Sequence, residues 1–441
     1  MSAPQNNKLS PTDGTPRWQV WGCLVLMLAG LYLVVGDKIH LSTWRVTPEG
    51  NTALAEALAW HRGTLCLDRA FYEDVEVNGE RYNIVGLAFV VLAYVGTAVS
   101  GWLGAPPEQF YPPLYVAMVA LPLPFLGYWA FRTVVKSPQW SAVLTAYLIT
   151  GTSLLPLLWI CGRGSLYEIN HALAVSGLLL LGGDLLGRRR LWPSIIGLCL
   201  AAWSRQMTCL YAVPLLWLAW RGSDQLVPEK HQEAPSATST EMGRISSPPR
   251  THRPRRAFYG VLLGVLFVAA VPMTLNTLKF GSPFETGYQR LYDGREDRIA
   301  RDAREQFYGP RYFLRHAKAM HVCFPAWDIR GGTLYAATGE TDGGSIWLTS
   351  PLLLAVLLTW RRWWREPCRR ALMLASFAVM LGLMGYHTTG AVGAGYYRYS
   401  LDFIPIWLLV IAPYLPQGRY GPPLTLACLA YSALYFDIIM G

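Results

Sequence analysis

The residues best suited to chemistry are carboxylates crowded into one polar stretch, residues 37–82, just after the first long apolar run. It holds Asp37, Glu49, Glu56, Asp68, Glu73, Asp74, Glu76 and Glu80. A carboxylate that is ionised near neutral pH and lies within ~3 Å of a hydroxyl can take its proton as a general base. The same charges could equally do no more than solvate a loop. Glu49 is the leading base candidate; the competing reading is a helix N-terminal Glu stabilised by the helix dipole. Asp74 and Glu76 stand two apart in a strand-like arm and so share one face. They could serve as further catalytic carboxylates, orient an acceptor, hold a divalent ion, or form a solvated edge strand. Asp37, beside Lys38, is either an interfacial pair or a second base candidate.

Cations and polar groups recur where apolar runs end. Arg398 and Asp402 are four residues apart at the end of a late run. Ionisable residues at membrane depth are costly and face an interior or a cavity. Arg398 therefore reads either as an anion-binding group held by Asp402 or as half of a helix-stabilising pair. His171 and Glu168 sit at the rim of another run, as anchors or as positioning contacts for a substrate. Lys279 and Tyr288 flank Phe280-Gly281-Ser282-Pro283, a turn sequence; Lys279 could instead snorkel to an interface. Arg205 interrupts the apolar stretch 191–220 and reads as a buried structural charge or, since about 30 residues is long for one span, as an inner loop between two short helices.

These residues must be positioned by membrane helices. Of 441 residues, 52% are hydrophobic, and they gather in blocks long enough to cross a hydrocarbon core of ~30 Å. Roughly ten to twelve such blocks give an all-α polytopic fold. The 18 Trp and 24 Tyr, many at block ends, suit interfacial aromatic belts. The net charge of +10 would suggest nucleic acid in a soluble protein. Here the excess lies in short loops such as Arg188-Arg189-Arg190 and Arg361-Arg362-Trp363-Trp364-Arg365, the pattern of loops retained on the inner side. Nucleic acid is excluded as a partner on that ground. The eight cysteines form no CxxC, and no metal-ligand spacing is present. Cys66 and Cys323 would share the outer side, where one disulfide could form.

Charge asymmetry divides the chain into a cytoplasmic arm (1–17), an N-terminal membrane module (18–220) with its outer loop at 37–82, a disordered inner linker (221–256) and a C-terminal module (257–441) with a second outer loop at 280–345. The first apolar run lacks a small-residue cleavage site and reads as a retained span in the cell membrane. Residues 49–60 carry an Ala/Leu helical pattern expected to lie on the membrane surface, with Thr47 as its cap. Residues 75–82 read as a hairpin, because Asn78-Gly79 suits the positive φ angles of a type I′ turn. Residues 290–315 read as a solvated amphipathic helix.

Several short motifs together resemble bacterial multi-pass membrane glycosyltransferases of the GT-C fold, the group related to protein O-mannosyltransferases and aminoarabinose transferases. They are Thr47-Pro48-Glu49 with the helix to His61-Arg62-Gly63, Asn78-Gly79-Glu80-Arg81-Tyr82, Asn170-His171-Ala172, Trp203-Ser204-Arg205, Phe280-Gly281-Ser282-Pro283-Phe284, Ile346-Trp347-Leu348-Thr349-Ser350-Pro351, and Gly395-Tyr396-Tyr397-Arg398-Tyr399-Ser400-Leu401-Asp402. The chain departs from the family in two places. Glu49 stands where Asp is usual, and Ile84-Val85-Gly86-Leu87 replaces a Pro-Pro-Gly run.

The resemblance implies transfer of a sugar, a hexose or pentose, with inversion from a polyprenyl-phosphate donor to an extracytoplasmic lipid, glycan or protein acceptor in the cell envelope. It makes Glu49 the base and puts Arg398 and Lys279 near the leaving phosphate, with Asp37, Glu168, His171, Tyr288 and Asp402 positioning donor or acceptor. A developing phosphate charge needs cations or aligned N–H donors. No nucleotide-sugar domain or glycine-rich phosphate loop is visible. The rival readings are a transporter or lipid carrier and an inactive GT-C relative. Transporters tend to carry internal repeats, and none is evident.

Overall fold

The computed structural model describes residues 25, 52–71, 74–84, 86–102, 104, 115, 118–162, 168–221, 254–293, 298–323, 326–330, 333–337, 344–388, 391–392, 396–416 and 421–440. Glu49, Asp37, Thr47 and the linker at 222–253 lie outside them. The described chain is mostly helical, with three small two-stranded antiparallel hairpins. The N-terminal half runs α1 (Thr52–His61), β1 (Asp74–Val77), β2 (Glu80–Asn83), α2 (Leu87–Trp102), α3 (Pro122–Val134), α4 (Pro138–Thr150), α5 (Leu154–Gly162), α6 (Ile169–Leu186), α7 (Trp192–Ser204) and α8 (Ala212–Arg221). The C-terminal half runs α9 (Pro254–Phe280), α10 (Arg298–Glu305), α11 (Phe313–Ala317), β3 (Ala326–Arg330), β4 (Thr333–Ala337), α12 (Ile346–Thr349), α13 (Ala355–Leu358), α14 (Trp360–Arg365), α15 (Pro367–Met384), β5 (Ala391–Val392), β6 (Tyr396–Tyr397), α16 (Ile404–Ile411) and α17 (Gly421–Met440).

Among the described residues three helices are long and apolar enough to cross a membrane: α6, the Ala257–Phe280 part of α9, and α15. A fourth span results if α4 and α5, bent by 56°, count as one. Shorter apolar helices are α2, α7 and Ile404–Tyr414. The protein thus has fewer uninterrupted spans among these residues than the hydropathy blocks suggest, because several blocks fold as short or broken helices.

The core is organised around α6, of which 89% is buried. It crosses α7 at a glycine pair. A Cβ on Gly177 would sit 2.5 Å from the Gly197 carbonyl oxygen, and one on Gly197 would sit 2.4 Å from that of Gly177. Only glycines let the two backbones approach this closely. The crossing sets the start of α6, with Glu168, Asn170 and His171, beside the end of α7, with Ser204 and Arg205.

Two loop expectations come out differently. The helix at 52–61 is packed into the protein rather than presenting a free face. Seven of its residues, Glu56 among them, are buried, because its alanines allow α2 to pack close. The 290–315 region is not one helix either. It breaks into a 3-10 turn, α10 and a second 3-10 turn at Pro310–Tyr312, where Gly309 and Pro310 end the helical register. Cys66 and Cys323 are both free thiols.

The hairpin forms as expected. Val75 pairs with Tyr82 and Glu76 with Arg81, and Asn78 and Gly79 take φ of 55° and 83°. Its apolar face packs Val75, Tyr82 and Ile84 on Phe280. The turn after α9 also follows its sequence, with Gly281 and Gly287 both at φ 77°. A Cβ on Gly287 would meet Ile84 Cγ2 at 2.5 Å, so the turn and the hairpin exit are fitted to each other.

Candidate functional site

A cavity of about 240 Å³ opens where these elements meet. One wall is Glu56 of α1 with Asn83, Ile84 and Gly86 of the hairpin exit, and a second is the α7 terminus, Trp203 to Met207. The last turns of α9 supply Leu275, Asn276 and Lys279, and the following turn Thr286 and Tyr288. The far side is aromatic: Phe307, Tyr308, Tyr386 and Tyr399. That aromatic side is fastened by backbone bonds between two distant segments, Gly309 N–H to the Gly385 carbonyl at 2.8 Å and His387 N–H to the Phe307 carbonyl at 3.2 Å.

Gly86 shows how tightly the hairpin exit enters. A Cβ there would lie 2.7 Å from the Ser204 carbonyl oxygen and 2.9 Å from Asn170 Oδ1. The glycine therefore brings three of the sequence motifs into contact.

A buried ion pair forms one end of the cavity. Lys279 Nζ lies 2.7 Å from Glu56 Oε1 and donates to the Asn83 carbonyl at 3.0 Å. Asn83 Nδ2 donates to Glu56 Oε2 at 2.6 Å, and Trp60 Nε1 donates to Oε1 at 3.2 Å. Glu56 is 1% exposed. With donors on both oxygens its carboxylate is fully hydrogen-bonded and orients Lys279.

A second polar network stands behind Tyr399. Arg205 Nε donates to both carboxylate oxygens of Asp402 at 3.2 Å, and the Tyr211 hydroxyl donates to the Asp402 carbonyl at 3.1 Å. Arg398 pairs with Glu168. His171 lies between the two pairs, its Nε2 3.5 Å from Glu168 and its Nδ1 3.9 Å from Asp402. Both guanidinium groups flank the Tyr399 ring, Arg205 at 4.5 Å and Arg398 at 5.4 Å from its centroid. Of the two, Arg205 lines the cavity.

The expected Arg398–Asp402 pairing is therefore replaced by two crossed pairs. The reason is local. Arg398–Asp402 is a 3-10 turn, in which residues three apart eclipse and residues four apart do not share a face. Arg205 does fall at a break between short helices. It joins α7 to a 3-10 segment, Gln206–Tyr211, at the same end of the bundle as Glu168, Asp402 and the hairpin.

Lys279 and Tyr288 line the cavity, while Glu168, His171, Asp402 and Arg398 form the layer behind it. Asp74 lies elsewhere. It is 3.2 Å from Arg81, which also pairs with Glu76 at 2.8 Å, and it accepts from Phe71 N–H at 3.0 Å. The shared face of Asp74 and Glu76 thus receives an arginine. Among the described residues no group of three or more His, Cys, Asp or Glu is arranged to hold a metal. Sequence reasoning gave no role to Glu56. Its available signal was a lone acid inside the apolar pattern Ala53-Leu54-Ala55-Glu56-Ala57-Leu58.

No protein-family model matches the chain, and no curated protein matches it. Among solved structures it is similar to the archaeal oligosaccharyltransferase AglB from Archaeoglobus fulgidus, determined with an inhibitory peptide and a dolichol-phosphate. The TM-score is 0.42 at 13% identity, over 96% of this chain and 55% of the other, so the chain spans about half the length of that protein.

Proposed function

We propose that this chain is an integral membrane glycosyltransferase that uses a polyprenyl-phosphate-linked sugar donor and an extracytoplasmic acceptor, with inversion. The observation that supports it best is convergence. The hairpin, the Trp203-Ser204-Arg205 segment, the Phe280-to-Tyr288 turn and Tyr399, separated by hundreds of residues, all border one cavity. That cavity presents two cations, Lys279 and Arg205, beside an aromatic wall. Aromatic faces suit a sugar ring, and fixed cations suit a departing lipid phosphate.

In this reading Lys279 and Arg205 stabilise the phosphate, and Glu56 and Asp402 orient them. Arg398, held by Glu168, sets the position of Tyr399, with His171 filling the space between. Glu49, just ahead of α1, remains the proposed base that takes the acceptor proton, with Asp37 as the alternative; Asp74, held by Arg81 outside the cavity lining, is the weaker choice. The bond to the anomeric carbon breaks toward the phosphate as the acceptor oxygen attacks from the opposite face, which gives inversion.

The test is donor turnover. Purified protein and Glu49→Gln are incubated with a panel of polyprenyl-phosphate sugars and membrane acceptors, and release of free lipid phosphate is followed. Release by the unaltered chain and a loss of about a hundredfold or more in the variant supports both donor class and base. No release from any donor by folded protein rejects the reading.

A further inference from the structure

At the opposite end of α6 from the cavity, roughly 25 Å away for an 18-residue helix, lies a second pocket of about 300 Å³ between α3, α6 and α7. Its wall is apolar: Leu126, Trp129, Leu180 and Ile196. Its mouth carries Arg188 and Arg190, both exposed, and Trp192, 58% exposed. Neither guanidinium takes part in an ion pair among the described residues.

The acid of the pocket is already occupied. Asp184 is 1% exposed and accepts from the Arg190 and Leu191 N–H groups, each at 3.0 Å, and from Ser194 Oγ at 2.7 Å. It fixes the loop without neutralising the arginines. Arg189 points elsewhere, donating from Nε to the Leu185 carbonyl at 3.1 Å. The flank of α3 beside the pocket is apolar and open, with Phe125 77% and Leu121 67% exposed.

We infer that this pocket binds one anionic membrane phospholipid, its phosphodiester on Arg188 and Arg190 and an acyl chain along Leu126, Leu180 and Ile196. Two cations with no ion pair among the described residues, above an apolar groove, match a ligand that is charged at one end and hydrocarbon at the other. A zwitterionic lipid offers the same chain without the net charge, and a free phosphate offers the charge without the chain.

The inference is tested on the full-length protein in detergent, with retained lipid counted by native mass spectrometry. Phosphatidylglycerol is titrated against phosphatidylcholine and against inorganic phosphate. One phosphatidylglycerol per chain is expected, held about tenfold or more tightly over phosphatidylcholine and not displaced by phosphate at equal concentration. Arg188→Gln with Arg190→Gln should abolish the preference, and Arg361→Gln with Arg365→Gln, on the basic helix α14 and outside the pocket's lining, should leave it intact. Equal retention of the two lipids by the unaltered protein overturns the inference and needs no variant to fold. Displacement by phosphate alone, or an unchanged preference in the Arg188/Arg190 variant, overturns it too. Donor turnover is read separately, so failure here leaves the proposed function standing.

Discussion

At the scale of single residues the account rests on two cations, Lys279 buried and Arg205 half-buried, and the carboxylates that hold them. Lys279→Met leaves the Glu56 carboxylate buried without its cation and should cost about 3–5 kcal/mol of stability. Adding Glu56→Gln should recover much of that loss. Thermal unfolding in detergent measures both, and a single variant as stable as the parent would contradict the pairing. On the proposed function, Arg205→Gln should lower kcat about a hundredfold. Arg205→Lys should fall between, because an ammonium keeps the charge but not the planar fork. The residue types of this site were readable in the sequence, but their partners were not. Arg398 and Asp402 are spaced as a helical pair, and a 3-10 turn sends each to a residue about 200 positions away. Arg205 looked like a loop marker because an isolated charge in an apolar stretch does not reveal which end of the bundle it reaches.

Among the elements, the α6–α7 crossing decides whether the site assembles. Gly177→Leu would drive a side chain into the α7 backbone. Overpacking of this kind typically costs about 1–3 kcal/mol, and more where backbones touch. Unfolding temperature and donor turnover should fall together. The loop that closes the aromatic wall carries its own pH sensitivity. Burial pushes both His316 and His387 down to about 4 from the ordinary 6.5. The unfolded chain takes up these protons near pH 6.5 and the folded loop resists until about 4. Their contribution is therefore complete above pH 6.5, declines as pH falls toward 4, and is constant below that. Unfolding temperature followed against pH should show this loss, and His316→Phe with His387→Phe should flatten it. Local sequence fixed the hairpin and the glycine turns, since Asn78, Gly79, Gly281 and Gly287 meet backbone demands set within a few residues. It did not show the burial of α1, which depends on partners distant in the chain, and the helical charge spacing of 290–315 hid the break at Gly309 and Pro310.

For the whole molecule, hydropathy identified a helical membrane protein but not its spans. Windows of composition register α4 and α5 as continuous apolar sequence, whereas the chain bends 56° between them. The two pockets lie at opposite ends of α6, so single cysteines at Tyr288 and Arg190 should react with an impermeant reagent from opposite faces of sealed vesicles. Labelling of both from one face would contradict the arrangement. The central claim is that motifs scattered from α1 to Asp402 build one cavity for a lipid-linked phosphate. Electron cryomicroscopy of the protein with an added polyprenyl phosphate tests it most directly. The account expects phosphate density between Lys279 and Arg205, against the aromatic wall. Density at another site, with this cavity empty, would contradict it.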